Sequence, residues 1–141
     1  MPKKTWSRLA TNLLQNRCGL GAKIMNIEID RIGDGSCSVV HVQGDVDMKT
    51  SSEVRTVILD LIENQDQKRV IVDLSGAQHV DSSGVASFIE GLREAKKRNA
   101  RFILCGLNEA PRHVLDVTCL SSVLEITPTV EEALGPWRKA A

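Results

Sequence analysis

The order of apolar and polar residues after residue 24 predicts that a folded domain begins with a strand hairpin. Ile27 and Ile29 alternate with polar residues, which is typical of a half-buried strand. Asp34-Gly35 is a hairpin turn signal, and the residues after it predict a second strand over about 36–43. The domain is therefore expected to begin with two antiparallel strands.

Helical stripes and short apolar runs alternate along the rest of the chain. The runs at 69–74 and 101–105 are typical of strands that a parallel sheet buries on both faces. Helical spacing is clearest over 83–98, and a second stripe precedes residue 69. A helix near Pro111, a short strand over 123–126 and a final helix complete the pattern. The apolar positions of the two stripes are Val54, Val57, Ile58, Leu61 and Ile62, and then Val85, Phe88, Ile89, Leu92 and Ala95.

The element order ββαβαβαβα predicts a single α/β domain over residues 24–141. Because strands that alternate with helices pair in parallel, the order favours a small mixed sheet packed with helices, with an antiparallel hairpin at its start. A length of 141 residues and a hydrophobic content of 42% agree with one globular domain.

Short polar runs mark the predicted helix starts. The run 50–53, Thr-Ser-Ser-Glu, has the sequence of a capping box, and the run 129–132 repeats the pattern. In a capping box, the first hydroxyl and the last carboxylate satisfy backbone N–H groups that the first helical turn leaves free. Both runs therefore predict a helix that begins with a side-chain cap.

Three candidate N-cap residues, Asp81, Ser82 and Ser83, stand at the start of the helix predicted over 83–98, although a helix needs only one. Gly84 is a poor helix former inside the first turn, which suggests close approach by something outside. The composition alone favours a simple cap. Two serines at the positive end of a helix dipole also suit a phosphate group.

The net charge of zero, from 18 basic and 18 acidic residues, is unevenly distributed. Residues 1–23 carry five basic and no acidic side chains, so the remainder has 13 basic and 18 acidic residues and a net charge of −5. Four apolar residues of this basic N-terminal extension have the spacing of one helix face: Trp6, Leu9, Leu13 and Leu14. The extension suits a helix on an anionic membrane or in a partner groove, a loosely ordered segment, or sequence upstream of a true start at Met25.

The composition argues against several other kinds of function. No run approaches about 18 consecutive apolar residues, so no membrane span is expected. Balanced charge, two Trp, two Phe and no Tyr argue against direct nucleic-acid binding. Four cysteines without zinc spacing, and no apolar signal core, favour reduced thiols in the cytoplasm, with no metal and no cofactor. Asp45, Asp47 and Asp81 each have a local explanation in a turn or cap.

Catalysis is not expected. Ser82 lies in neither a Gly-x-Ser-x-Gly elbow nor a Ser-x-x-Lys pattern. A hydrolase would need a base within hydrogen-bond reach of that serine. His41 and His113 fall inside a predicted strand and helix, and His79 shares the loop of Ser82. The sequence therefore predicts no catalytic residue.

Four segments resemble one protein family. Residues 70–86 read Val-Ile-Val-Asp-Leu-Ser-Gly-Ala-Gln-His-Val-Asp-Ser-Ser-Gly-Val-Ala, which resembles the signature of STAS domains, the family of bacterial anti-sigma factor antagonists. Residues 44–50, Gly-Asp-Val-Asp-Met-Lys-Thr, resemble the family's Gly-Glu-Leu-Asp-x-x-Thr segment. The runs from Arg101 and Pro111 resemble its fourth strand and next helix. The resemblance covers about residues 24–134; His79-Val80 and the basic extension depart from it.

The resemblance implies a phosphorylated serine and the surface around it. Ser82 matches the serine that an anti-sigma factor kinase phosphorylates in that family. The neighbouring loop and helix start match the kinase-docking surface of the family. The resemblance as a whole implies a STAS-like fold with no cofactor. The residues implied to contact the partner are Asp47, Thr50, Ser51, Asp81, Ser83 and Gly84.

A phosphorylation-controlled binding protein is the function that the resemblance implies. Unmodified protein would bind an anti-sigma factor serine kinase and free its sigma factor, phosphate on Ser82 would end binding, and a phosphatase would restore it. Transcription would then be regulated indirectly. The alternative is a non-switching STAS subunit of a membrane lipid transporter or another cytosolic assembly, in which residues 1–23 would touch the membrane.

We expect removal of residues 1–23 to leave the domain folded and to change its free energy of unfolding by about 1 kcal/mol or less. Every core stripe begins after this segment, and four apolar side chains do not stabilise an isolated helix of this length. Thermal melting of the full and truncated chains measures the difference. A large fall in melting temperature would instead place Trp6, Leu9 and Leu13 in the core or in a dimer contact.

Overall fold

The structure, a computed structural model, describes residues 26–32 and 35–135. The predictions for the basic extension, for a start at Met25 and for Asp34 lie outside these residues. The strands are β1 Asn26–Ile32, β2 Cys37–Gln43, β3 Arg69–Gly76, β4 Arg101–Cys105 and β5 Glu125–Thr127. The helices are α1 Ser51–Glu63, α2 Ser82–Lys97, α3 Glu109–Val117 and α4 Val130–Leu134, with a 3₁₀ turn at Leu120–Ser122.

The strands form a mixed sheet in the order β1-β2-β3-β4-β5. The β1–β2 pair is antiparallel and the other three pairs are parallel, so the predicted fold class and element order are confirmed. The strand predicted over 123–126 begins two residues later, because the 3₁₀ turn precedes it. Within the described ranges, no helix combines the length and apolar character needed to cross a membrane.

Both faces of the sheet are buried, which explains the continuous apolar run of β3. The larger core lies between one face and the two predicted helical stripes; all positions of the α1 stripe are buried, while Ile89 and Leu92 of α2 are only partly buried. The smaller core, under α4, contains Cys37, Val39, Ile71, Ile103, Cys105, Ala133 and Leu134. The buried side chains of Cys37 and Cys105 thus belong to the packing of this core. Burial raises the pKa of Cys105 to about 12.

The two predicted capping boxes have different outcomes. The Thr129 side chain accepts a hydrogen bond from the backbone N–H of Glu132 at 3.2 Å, as predicted. The prediction for Thr50 is wrong, because its side chain makes no cap hydrogen bond to α1. Its hydroxyl instead donates to the Asp45 carbonyl at 2.8 Å and accepts from the Asp47 N–H at 2.9 Å. Thr50 therefore closes the loop before the helix.

A close contact at Gly91 fixes the position of α2 over α1 and the sheet. A Cβ at this position would lie 2.8 Å from Ile58 Cγ2 and 3.1 Å from Phe102 Cε1. Both neighbours are buried core residues that cannot move away freely. Glycine therefore allows the helix to approach closely enough to place its N-terminus beside the ends of β2 and β3.

We expect Gly91→Ala to destabilise the fold by about 1–3 kcal/mol, because overpacking a filled core outweighs the better helix propensity of alanine. Ser52→Ala in α1 is the control, since Ser52 is exposed and the substitution also improves helix propensity. Urea unfolding of both variants measures the difference. Equal stability of Gly91→Ala and the native protein would contradict this account of the helix contact.

Candidate functional site

The candidate site lies at the carboxyl ends of β2 and β3, where the loops 44–50 and 77–81 meet. Val46 and Val80 form an isolated parallel bridge between the two loops. The Val46 N–H donates to the His79 carbonyl at 2.9 Å, and the Asp81 N–H donates to the Val46 carbonyl at 3.0 Å. These bonds join the two loops and fix the point at which α2 begins.

Gly84 is required by the contact between the first turn of α2 and this bridge. A Cβ at position 84 would lie 2.7 Å from Val46 Cγ1 and 2.8 Å from Val80 Cγ1. The close approach inferred from the sequence therefore exists, but the approaching groups belong to this chain. Gly84 itself is buried, so it shapes the site from below.

Asp81 is the N-cap of α2. Its Oδ1 accepts from Ser83 N at 2.9 Å, Gly84 N at 3.2 Å and Ser83 Oγ at 2.6 Å. The pKa of Asp81 lies below its ordinary value, mainly because the Ser83 hydroxyl donates a hydrogen bond to the carboxylate. Hydrogen bonds from backbone N–H groups, including that of Met48, lower the pKa further. The ionised form of Asp81 is therefore favoured, and it accepts the hydrogen bond of the Ser83 hydroxyl. The same carboxylate links both loops to the helix.

Ser82 has a different environment from Ser83. It is exposed at the first position of α2, and within the described part of the chain its hydroxyl makes no hydrogen bond. The positive end of the helix dipole lies beside it, while Lys96 and Lys97 stand in the last turn. Of the two adjacent serines, Ser82 is the one whose hydroxyl is available and whose position favours an added anion.

The remaining predicted site residues differ in their exposure. Asp47 is partly exposed, and its Oδ1 accepts from Lys49 N at 2.9 Å and Thr50 N at 3.2 Å. Thr50 is buried and Ser51 nearly so; the Ser51 carbonyl accepts from Ser87 Oγ of α2 at 3.2 Å. Thr50 and Ser51 thus hold the loop and α1 in place beneath the surface.

Two features of the site were not predicted from the sequence. Met48 is 82% exposed at the tip of the first loop, and an apolar residue inside a polar turn is the signal that could have identified it. A groove of about 480 Å³ lies beside Ser82 between α2 and the segment that contains α3. No local pattern predicts the groove, because its walls come from segments about 30 residues apart. Its apolar lining consists of Val85, Ala86, Ile89, Val114 and Leu120.

Two of the three histidines, His41 and His79, contact aspartates and not Ser82. His41 Nδ1 lies 2.8 Å from Asp73 Oδ2 and its Nε2 lies 3.1 Å from Asp30 Oδ2, so the ring joins three neighbouring strands. His79 Nδ1 lies 3.4 Å from Asp45 Oδ2. In residues 26–32 and 35–135, no histidine hydrogen-bonds Ser82, and no group of His, Cys, Asp or Glu has the arrangement of a metal site.

A five-stranded mixed sheet whose third strand leads to a helix with an exposed serine at its N-terminus defines the chain as a small mixed α/β domain. The family model for the STAS domain matches residues 26–133. The chain belongs to the STAS domain family.

Known proteins similar to this chain cover most of its length. An anti-sigma-B factor antagonist of Listeria monocytogenes is 25% identical over 112 residues, which span 79% of this chain and 97% of the relative. A putative anti-sigma factor antagonist of Thermotoga maritima has a similar crystal structure, with a TM-score of 0.72 and 19% identity over 79% of this chain and 94% of the other. The Bacillus cell fate determinant SpoIIAA in its phosphorylated form has a TM-score of 0.61 and 22% identity over 77% and 96% of the two chains.

We expect Asp81→Ala to cost about 1 kcal/mol of stability at neutral pH, because it removes the N-cap of α2. Asp81→Asn retains an acceptor oxygen, so its loss should be smaller. Because the folded pKa of Asp81 is lowered, its ionised form stabilises the fold above the ordinary value of 3.8, and this stabilisation is lost as the pH falls through the lower folded pKa. Urea unfolding measures the free energy of unfolding of the native protein and of Asp81→Asn at pH 7 and near pH 3. The difference in free energy between the two proteins should be smaller near pH 3. An equal difference at both pH values would contradict the role of the ionised Asp81 carboxylate as the N-cap.

Proposed function

We propose that this protein is an anti-sigma factor antagonist that docks on an anti-sigma factor serine kinase in the cytoplasm and is released when Ser82 is phosphorylated. The observation that carries the proposal is the contrast between the two adjacent serines. Asp81 holds the hydroxyl of Ser83, whereas Ser82 is exposed at the helix N-terminus. Relatives named as anti-sigma factor antagonists support the partner class, and a fold neighbour solved in its phosphorylated form supports the modification.

The proposed docking surface consists of the exposed parts of the loops 44–50 and 77–81 together with the start of α2. Met48 supplies an exposed apolar side chain there. Ser83 and the rest of the first turn of α2 adjoin Ser82, and Asp47 lies in the neighbouring loop 44–50. The buried residues Thr50, Ser51 and Gly84 support this surface. The kinase would therefore contact a preformed shape, and docking requires no rearrangement of the backbone.

The proposed switch is a local change of charge. A phosphate on Ser82 adds about −1.5 to −2 charges. The N-terminus of α2 stabilises this charge within the protein, while Asp47 and Asp81 stand on the same surface. The added charge therefore raises the negative potential that faces a partner and weakens docking on an acidic partner surface. Removal of the phosphate by a phosphatase restores the neutral hydroxyl.

In this proposal the protein is the substrate of a kinase rather than an enzyme. Among the described residues, His41 and His79 contact aspartates and not Ser82, which supports a serine that depends on a kinase to supply the base and the phosphoryl donor. A non-switching STAS subunit of a lipid transporter would not need an exposed serine at this position. The exposure of Ser82 therefore favours the switch.

We expect the partner kinase with ATP to phosphorylate the native protein and Ser83→Ala but not Ser82→Ala, as measured by mass spectrometry. In calorimetric titrations with the kinase, Ser82→Ala should bind as the native protein does, and Ser82→Asp should bind at least about tenfold more weakly. Asn99→Asp is the matched control, because it adds one negative charge at an exposed site beyond the opposite end of α2.

Two results would overturn the proposed switch. The first is phosphate on Ser82→Ala in the same amount as on the native protein. The second is that Ser82→Asp binds the kinase as tightly as the native protein does, or that Asn99→Asp loses as much affinity for the kinase as Ser82→Asp does. The first result would reassign the acceptor, and the second would remove the charge mechanism.

A further inference from the structure

The groove beside Ser82 has an interior that is almost entirely apolar. Besides the five apolar residues named above, its lining contains Ser82, Glu90, Arg93 and Thr118. The Thr118 hydroxyl donates to the carbonyl of Val114 at 2.8 Å, so it is satisfied within its own helix end. The volume of about 480 Å³ lies within the range of about 300–1,000 Å³ that is typical of small-molecule sites. The groove therefore has the size and the lining of a site for an apolar ligand.

Arg93 brings a positive charge to this lining that no neighbouring acid of α2 neutralises. Glu90 Oε1 lies 3.3 Å from Arg55 Nη1 of α1, and Glu94 Oε2 lies 3.1 Å from Arg98 Nε. Within residues 26–32 and 35–135, no carboxylate lies at ion-pair distance from Arg93, which is only partly exposed. A guanidinium that borders an apolar surface without an acidic partner attracts an anion and can bind a carboxylate through two parallel hydrogen bonds.

The positions of the lining residues along α2 set the length of a ligand. Ser82, Val85, Ile89 and Arg93 recur at intervals of three or four residues and therefore lie on one helix face. Arg93 stands about three helical turns beyond Ser82, or roughly 16 Å at about 1.5 Å per residue. An extended alkyl chain advances by roughly 1.3 Å per carbon, because C–C bonds of about 1.5 Å alternate in direction. A chain of roughly twelve carbons therefore matches the distance from Arg93 to the start of the helix.

We propose that this groove binds a free fatty acid. The carboxylate pairs with the Arg93 guanidinium, and the alkyl chain lies along Ile89 and Val85 towards Ser82. Burial of the chain against side chains that are otherwise partly exposed to water supplies the affinity, and Arg93 fixes the orientation.

A single alkyl chain fits the groove better than a helix of a protein partner does. A helix with side chains is about 10–12 Å in diameter, so three turns of it occupy roughly 1,200 Å³ or more. This exceeds the groove volume of about 480 Å³ more than twofold. The proposed site goes beyond the phosphorylation switch, because fatty-acid binding requires neither a kinase nor a phosphate.

The first test compares charge variants of the full chain in calorimetric titrations with sodium laurate, which has twelve carbons, below its micellar concentration. The native protein should bind one laurate, and Arg93→Gln should bind it at least about tenfold more weakly. Arg112→Gln is the matched control, because it removes the same charge from an exposed position of α3 outside the lining. Arg93→Lys keeps the charge but loses the paired hydrogen bonds, so its affinity should lie between those of Arg93→Gln and the native protein.

The second test varies the ligand. Octanoate has four fewer methylene groups, and each methylene in a half-open groove should contribute about twofold to affinity, so octanoate should bind at least about tenfold more weakly than laurate. Dodecyltrimethylammonium has the same chain with a positive head group. It should bind the native protein at least about tenfold more weakly than laurate, and Arg93→Gln should remove this preference.

The third test locates the ligand on the ¹⁵N-labelled full chain. Laurate should shift the backbone amide signals of Val85, Ile89 and Leu120, which line the groove. The signal of Val39 should be unchanged, because this residue lies in the smaller core on the other face of the sheet. Ala86→Arg places a large side chain at an exposed lining position and should abolish the shifts.

Several results would overturn the proposed fatty-acid site. They are an equal laurate affinity of Arg93→Gln and the native protein, an equal affinity for laurate and dodecyltrimethylammonium, and laurate shifts at Val39 rather than in the groove. A dimer in analytical ultracentrifugation that Ala86→Arg dissociates and laurate does not would assign the groove to a second copy. Co-sedimentation with anionic phospholipid vesicles, lost in Arg93→Gln and without binding of free laurate, would assign it to a membrane surface. No kinase or phosphate is present in these experiments, so their failure leaves the proposed phosphorylation of Ser82 standing.

Discussion

The contact between Val46 and Val80 is the constraint on which the site depends. Each valine belongs to a loop that leaves the carboxyl end of a strand, and their bridge converts two loops into one surface. The bridge also leaves no room for a side chain at Gly84. The first turn of α2 therefore rests on the bridge, and the direction in which that helix presents its N-terminus follows from the pairing of β2 with β3.

The hydrogen bonds at this edge of the sheet leave the Ser82 hydroxyl available. The free N–H groups of the first turn need an acceptor, and the Asp81 carboxylate supplies it while also binding the Ser83 hydroxyl. The Thr50 hydroxyl is used between Asp45 and Asp47. None of these bonds uses the Ser82 hydroxyl, so a phosphate attached there would break no hydrogen bond that holds the loops together.

The element order could be predicted because its signals are local. Strands and helices differ in the period of their apolar residues, and the buried positions of α1 follow directly from that period. The role of Thr50 could not be predicted in this way. Its hydroxyl can serve the helix or the preceding loop, and the choice depends on how Asp45 is held, with its carboxylate accepting from the His79 N–H across the two loops.

Local sequence patterns could not predict the features that are formed by segments far apart in the sequence. Gly84 indicated a close neighbour, but the identity of that neighbour depends on the register between β2 and β3. Asp81, Ser82 and Ser83 have similar capping preferences, so only the hydrogen-bond geometry distinguishes the cap from the exposed serine. The groove required knowledge of where the 3₁₀ turn packs, because Leu120 contributes to it from outside any predicted helix.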